Sequence, residues 1–263
     1  MSPAERVQLE AYRAVAEATE IGGATVIQVP AGPETPMLNR VVGLGIDRPA
    51  TEDDVDAALA TIRSGVTFYV AVASRAQPAE LPSWLEARGL EPGWGWMSFG
   101  RSPDHPPAVE TSLRLVRAET REDAAAFARI QRIAYELPEA LEPVIALAPE
   151  RGWEVWLALD GAEPAGAGGL FVFDGVCYLG FGATLPEHRG KGAQGALLAH
   201  RIRRAGELGC NLVTTETGER RGDRPSNSYR NILRAGFAEG AVTANWLGRS
   251  SPETRATGSD LLV

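Results

Sequence analysis

An α+β sandwich is the fold class that the sequence predicts, and three observations predict it. The second half of the chain runs strand, two helices, three strands in close succession, long helix, strand, short helix and a last strand pair. The three successive strands are joined at Asp160-Gly161 and Asp174-Gly175, dipeptides that suit tight antiparallel hairpins. The strand before the long helix passes into it through glycines at 190, 192 and 195, so the sheet meets a helix N-terminus there.

The first helix opens with Ser2 as N-cap, Pro3 in the first turn and Glu5 closing a capping box. Val7, Ala11, Ala14 and Val15 give it an apolar stripe, and Gly22-Gly23 is the expected stop. Residues 24–29 read as a strand, 30–36 as a proline-stiffened loop and 38–44 as a second strand. Thr51 and Asp54 cap a helix through Ile62, residues 66–73 form a β-branched and aromatic strand, and a short helix over 81–88 stops at Gly89. An aromatic strand near 94–99 closes this half. The proline-dense, apolar-poor stretch 102–108 is the best linker in the chain.

Beyond it come a strand at 113–116, a helix capped by Thr120 and Asp123, a helix near 140–147, and strands at 154–159, 165–173 and 176–184. The long helix spans about 192–208, a strand 211–217, a short helix 228–234 and the last strand pair 237–247. The halves share one weaker likeness: short helices that end at Ala-Arg-Gly-Leu (87–90) and Arg-Ala-Gly-Phe (234–237), each leading into a strand.

Composition sets the bounds. A chain of 263 residues, 44% hydrophobic and 23% charged, has the make-up of a folded protein with room for two cores. The net charge of -8, spread along the chain, argues against nucleic acid or an anionic membrane as partner and would welcome a cationic small molecule. Cys177 and Cys210, each in an apolar segment, read as buried free thiols. No stretch approaches the roughly 20 apolar residues of a membrane helix, nor does the N-terminus have the apolar run of a signal peptide. A cytoplasmic location is the resulting expectation. His188 and His200 have no companion ligands in the pattern, so no metal site is expected.

The glycine-rich turn carries the chemistry. Glycines let the backbone approach a ligand closely, and the first-turn amides of a helix have no intrahelical acceptor. With the helix dipole, and with Arg189 and Lys191 alongside, such a terminus is a ready pyrophosphate site. The segment is not a Walker loop, since no Gly-Lys-Ser/Thr ends it, and not a dinucleotide fingerprint, since hairpins rather than a βαβ unit precede it. A glycine-rich connection without a ligand is the bland alternative.

Pro186 followed by Arg189-Gly190-Lys191-Gly192-Ala193-Gln194-Gly195 resembles the acetyl-CoA signature of the GNAT superfamily of N-acetyltransferases, Arg/Gln-x-x-Gly-x-Gly/Ala. Gln194 departs from it, standing where Gly or Ala is usual. The resemblance covers about residues 111–250 and implies a GNAT-like mixed sheet flanked by helices. Residues 1–101 look like a degenerate copy without the signature. The resulting organisation is two tandem GNAT-like domains: 1–101, a linker 102–110, the acetyl-CoA-binding domain 111–250 and a tail 251–263.

The resemblance further implies transfer of acetyl from acetyl-CoA, as cosubstrate and with no metal, to the amine of a small-molecule acceptor. Gly182, Ala183 and Thr184 would pair through their backbone with the pantetheine arm, where two strands splay, and Arg189, Gly190, Lys191, Gly192, Ala193, Gln194 and Gly195 would cradle the pyrophosphate. A backbone amide on that strand would polarise the thioester carbonyl.

Attack needs a neutral amine, so a general base is useful. Glu216, in the otherwise apolar or hydroxylic stretch 212–217, is the leading candidate; a strand-end charge or an anchor for the substrate cation is the other reading. The general-acid tyrosine of the family falls on Ile232 here, so Tyr229 is the remaining candidate, with a packing role as its alternative. Ser228 falls where relatives pack against CoA. Pro225 replaces an expected Asn, leaving Asn227 or Asn231 for that contact. A non-catalytic acyl-CoA-binding module is the second functional class. The pattern leaves oligomeric state open.

Overall fold

The computed structural model describes residues 1–220, 222 and 226–251. The tail expected over 251–263 lies, apart from Ser251, outside the described residues, as does Pro225.

The first half contains α1 (Pro3–Arg13), β1 (Glu17–Ile21), β2 (Ala24–Gln28), β3 (Arg40–Val42), α2 (Glu52–Ala60), β4 (Thr67–Ala73), α3 (Leu81–Ala87), β5 (Glu91–Pro92) and β6 (Trp96–Arg101). The second contains β7 (Arg114–Arg117), α4 (Arg121–Tyr135), α5 (Glu142–Ala146), β8 (Glu154–Asp160), β9 (Glu163–Phe173), β10 (Val176–Thr184), α6 (Ala193–Glu207), β11 (Leu212–Gly218), α7 (Asn227–Arg234) and β12 (Ala238–Arg249). The three expected capping boxes form, with Ser2, Thr51 and Thr120 bonded reciprocally to Glu5, Asp54 and Asp123.

Among the described residues the strands make one sheet in the order β1-β2-β3-β4-β12-β6-β11-β10-β9-β8-β7, with β5 paired to β12. The last strand of the chain thus lies between two strands from the first hundred residues. β6 in turn pairs with both β11 and β12. On β10, Val176 and Tyr178 pack with residues of α1 and α4. Cys177 and Leu179 pack on the opposite face with residues of α6 and α7, as alternation along a strand requires. A separate apolar cluster unites α2, α3 and β2 to β4 with Trp246. Both cysteines are free and buried.

Three expectations are corrected. The first helix does not reach Gly22-Gly23: it ends at Arg13, residues 17–21 form β1, and the two glycines, at φ +59° and +75°, make the turn to β2. Pairing with β2 overrides the helix propensity of Glu and Ala there. The strand expected over 38–44 shrinks to Arg40–Val42. Buried Asn39 instead holds the preceding loop, accepting from Val29 N and donating to the Gly32 and Thr35 carbonyls. The expected final strand pair is one strand, β12, whose register against β6 shifts between Glu239 and Val242. Gly240 lies in this irregularity, where a Cβ would sit 2.6 Å from Ser98 Oγ.

The two short helices α3 and α7 do end alike. Gly89 and Gly236 adopt φ +78° and +82°, and the amides of Leu90 and Phe237 return to the carbonyls of Leu85 and Ile232.

Candidate functional site

β10 pairs with β11 only from Val176 to Leu179, opposite Leu212 to Thr215, and beyond this the two parallel strands part. At the same point β10 is bulged. Its register against β9 shifts between Gly180 and Ala183, and Phe181 takes φ +55°.

Side chains from two helices converge on this bulge. The Gly180 carbonyl accepts from Arg201 Nη1 at 2.9 Å, Phe181 from Gln131 Nε2 at 2.9 Å, Gly182 from the Tyr135 hydroxyl at 2.8 Å and Ala183 from Gln194 Nε2 at 2.6 Å. Gln194 also donates to Thr184 Oγ1 at 3.0 Å. Arg201 is 2% exposed and also donates to the Gly169 and Leu197 carbonyls. Burial pushes its pKa down to about 10, so the guanidinium is charged at neutral pH.

At the start of α6, Gly192 is the N-cap at φ +83° and offers no side chain to the helix amides; the first return bond runs from Ala196 N to its carbonyl. The amides of Ala193, Gln194 and Gly195 are therefore the ones left for a ligand. Gly190 is also left-handed, at φ +82°, and Arg189 beside it is exposed. Lys191 is bonded to Asp160, which also takes His188 Nδ1 at 3.0 Å, and these bonds hold the Asp160 carboxyl below its usual range.

Glu216 follows directly on Thr215, the last residue of β11 that pairs with β10. The tyrosine hydroxyl of α1, Tyr12, donates to its Oε1 at 2.5 Å, Tyr178 approaches at 3.5 Å, and Arg40 Nη1 lies 3.5 Å away. Arg40 also donates to the Tyr12 oxygen at 2.7 Å. Its guanidinium carbon lies 5.2 Å from the Tyr12 ring centroid and 5.4 Å from that of Trp96. In the sheet order Arg40 and Glu216 are separated by β4, β12 and β6, so the sheet must curl around α1 to bring them together.

Burial alone would lower the Arg40 pKa, but Tyr12 and Glu216 outweigh it and raise it; burial raises both phenols, with the Glu216 charge adding to the effect. Arg40 is thus a cation, and Tyr12 and Tyr178 are neutral donors. The cleft over this cluster, about 70 Å³, is lined by Glu5, Gln8, Tyr12, Arg40, Trp96 and Glu216 together with apolar residues of β3, β4 and α1.

The structure therefore brings the predicted carboxylate and glycine turn to the same parting of strands. It does not bring Tyr229 there. Tyr229 is buried, with its ring edge-on to Phe99 at 4.9 Å and its hydroxyl donating to Glu239 at 2.7 Å. It packs with Val213, whereas Glu216, three residues on, faces the opposite side with Tyr12. The packing alternative describes this position. Ile232 is likewise buried in that core.

Ser228 is exposed, Asn231 Oδ1 takes Arg234 Nη1 at 3.4 Å, and Asn227 Oδ1 takes Arg230. Glu219 bonds the amide of Gly95. Sequence reasoning missed Tyr12, Arg40 and Tyr178. A charged residue inside the apolar run 38–44 was the signal available for Arg40.

A mixed sheet with a bulged strand, a parallel neighbour parting from it and a glycine-capped helix between them defines the GCN5-related N-acetyltransferase fold. Residues 117–223 match the model of the acetyltransferase (GNAT) family.

Solved structures give the same fold at low identity. A GCN5-related N-acetyltransferase from Kribbella flavida is 20% identical, with TM-score 0.67, covering 94% of this chain and 96% of that one. One from Sphaerobacter thermophilus is 14% identical, with TM-score 0.62 and coverage of 88% and 82%. A tandem GNAT protein from the clavulanic acid biosynthesis pathway is 18% identical, with TM-score 0.56 and coverage of 88% and 80%. No curated protein matches. Among the described residues no helix is long and apolar enough to cross a membrane.

Proposed function

We propose that the protein transfers acetyl from acetyl-CoA to the amine of a small molecule, with one cofactor site at the start of α6 and the acceptor in the cleft above Glu216. The observation that carries this reading is the parting of β10 from β11. The free amides of α6 lie at one side of it and a mostly buried carboxylate at the other. Members of this family are acyltransferases, which supports the reaction class.

The residues present fit acetyl-CoA. The amides of Ala193, Gln194 and Gly195, with Arg189, would hold the pyrophosphate, and the backbone of Gly182 to Thr184 would hold the pantetheine. When bound, acetyl-CoA supplies an activated acyl thioester. Glu216 would hold the acceptor ammonium and take its proton. All the hydrogen bonds it makes among the described residues reach Oε1, leaving Oε2 for the acceptor. Residues 1–101 would form the other wall of this cleft as a degenerate second domain, joined by the 102–110 linker. The likeness to a tandem GNAT protein over 88% of the chain and the shared ends of α3 and α7 support that organisation.

A free-thiol assay with acetyl-CoA over a panel of amino acids, polyamines, aminoglycosides and arylalkylamines tests the reading. Acceptor-dependent thiol release is the expected result. Tight CoA binding without release across the panel would instead favour the non-catalytic module, a reading supported by the placement of Tyr229 and by Ile232 at the usual acid position.

Gly192→Asp is expected to weaken acetyl-CoA binding about 10- to 30-fold by placing an anion where the helix dipole receives one. Gly192 stands at φ +83°, where any side chain is strained, so Gly192→Ala, which carries the strain without the charge, is the control. Unchanged affinity in calorimetry would remove the cofactor site from α6.

Gln194→Ala is expected to tighten acetyl-CoA binding about 2- to 10-fold. The ligand no longer has to displace the amide from the Ala183 carbonyl, a bond worth roughly 0.5–1.5 kcal/mol. An equal or weaker affinity would mean that the amide does not compete with the cofactor.

A further inference from the structure

Arg40 uses only one side of its guanidinium. Nη1 bonds Tyr12 and approaches Glu216, whereas Nε is fully buried without a partner and Nη2 makes no hydrogen bond among the described residues. Nε and Nη2 together are the edge whose two N–H groups point in parallel, the geometry that matches a carboxylate bidentately. Trp96 Nε1, from the ring beside the guanidinium, is a second buried donor without a partner among the described residues. Both residues line the same cleft. Buried donors left unbonded are costly, so a site that collects two of them beside a buried cation is built for an anion.

The cleft also holds the opposite requirement. Glu216 Oε1 stands 3.5 Å from Arg40 Nη1, and its carboxylate suits an ammonium group. Because the Nε/Nη2 edge points away from Nη1, a ligand meeting both spans the guanidinium and has its carboxylate and its amine a few carbons apart. The modest cleft, with apolar Leu9, Val42, Ile46 and Ala71 around it, admits little beyond a small side chain.

We infer that the acceptor is a small amino acid. Its carboxylate is gripped by the Nε/Nη2 edge of Arg40 with Trp96 Nε1 at hand, and its amine is presented to Glu216. This rests on the acetyltransferase reading for the transfer itself, but the binding site stands on Arg40, Trp96 and Glu216 alone. In the transfer, the amine nitrogen forms the new bond to the acetyl carbon as the carbon–sulfur bond of acetyl-CoA breaks. The nitrogen's proton passes to Glu216, and CoA leaves as the thiol or thiolate.

The test is calorimetric titration of the full chain, with and without CoA, using the standard amino acids, β-alanine and 4-aminobutyrate. Each binder is paired with its carboxamide and with the amine lacking the carboxyl group. One or a few small amino acids are expected to bind saturably, with the carboxamide about 10- to 100-fold weaker, the loss of charge-assisted hydrogen bonds.

Arg40→Met should abolish the preference for carboxylate, and Arg40→Lys should retain part of it. The ligand pairs on the unaltered protein give the answer even if Arg40→Met fails to fold. Amino acids binding no better than their carboxamides, or no amino acid binding at millimolar concentration, would overturn the inference. Amino-acid binding without thiol release from acetyl-CoA would uphold the site and sink the transferase reading instead.

Discussion

Gly168→Ala is expected to lower the thermal midpoint by roughly 6–20 °C, at a cost of about 3–5 kcal/mol. A Cβ at Gly168 would lie 2.6 Å from the guanidinium carbon of Arg201, 2.8 Å from Nη1 and 2.9 Å from Nε. That guanidinium has nowhere to retreat, because Leu197, Gly169 and Gly180 hold it through their carbonyls. Overpacking typically costs about 1–3 kcal/mol, and each buried carbonyl left unbonded adds about 1–3 kcal/mol. Gly168 also adopts a backbone that Ala tolerates, as no positive φ occurs there, so the effect is one of space.

Arg201→Met in the same chain should restore part of the loss by removing the obstructed group, giving a coupling of about 1–3 kcal/mol in a double-mutant cycle. Additive single effects would mean that the two residues do not share the bulge. Because Arg201 bonds the Gly180 carbonyl at the point where β10 leaves β11, Gly168→Ala should weaken acetyl-CoA binding as well.

The features legible in the sequence are those set by neighbours in the chain. The three capping boxes depend on residues three apart, the Asp174-Gly175 hairpin on two residues that both take positive φ, and the glycine start of α6 on Gly190 and Gly192. The features that escaped it depend on distant partners. β1 is a strand only because β2 pairs with it, and β12 is continuous because β4, β5 and β6 hold its two sides.

The candidate site divides along the same line. Its glycine turn is a local motif, and Glu216 stood out as a lone acid in an apolar stretch. Arg40 and Tyr12 join it only through the curl of the sheet around α1, which no spacing in the sequence encodes. Tyr229 illustrates the converse. Helix numbering brought it near the expected acid position, but α7 packs its ring into the core against Phe99.

Glu216→Ala is expected to cost about 3–5 kcal/mol, because it strands a guanidinium that is buried among Tyr12 and Trp96. The side chains of Arg40 and Glu216 are 5% and 14% exposed, so solvent screens the pair little. Glu216→Gln keeps an acceptor for the Tyr12 hydroxyl and should cost less than Glu216→Ala. Arg40→Met combined with Glu216→Ala should recover much of the loss, since removing both charges removes the desolvation that each alone leaves unbalanced.

Urea titration of the four proteins measures this, and a coupling below about 0.5 kcal/mol would show that the two charges do not form a unit. The result bears on function because Arg40 comes from the first half of the chain and Glu216 from the segment that matches the GNAT family model. A strong coupling means that the carboxylate is positioned by the other half of the molecule. Arg40→Met in the full chain should then lower acceptor-dependent thiol release far more than acetyl-CoA affinity, because the glycine turn of α6 lies apart from the Arg40–Glu216 pair.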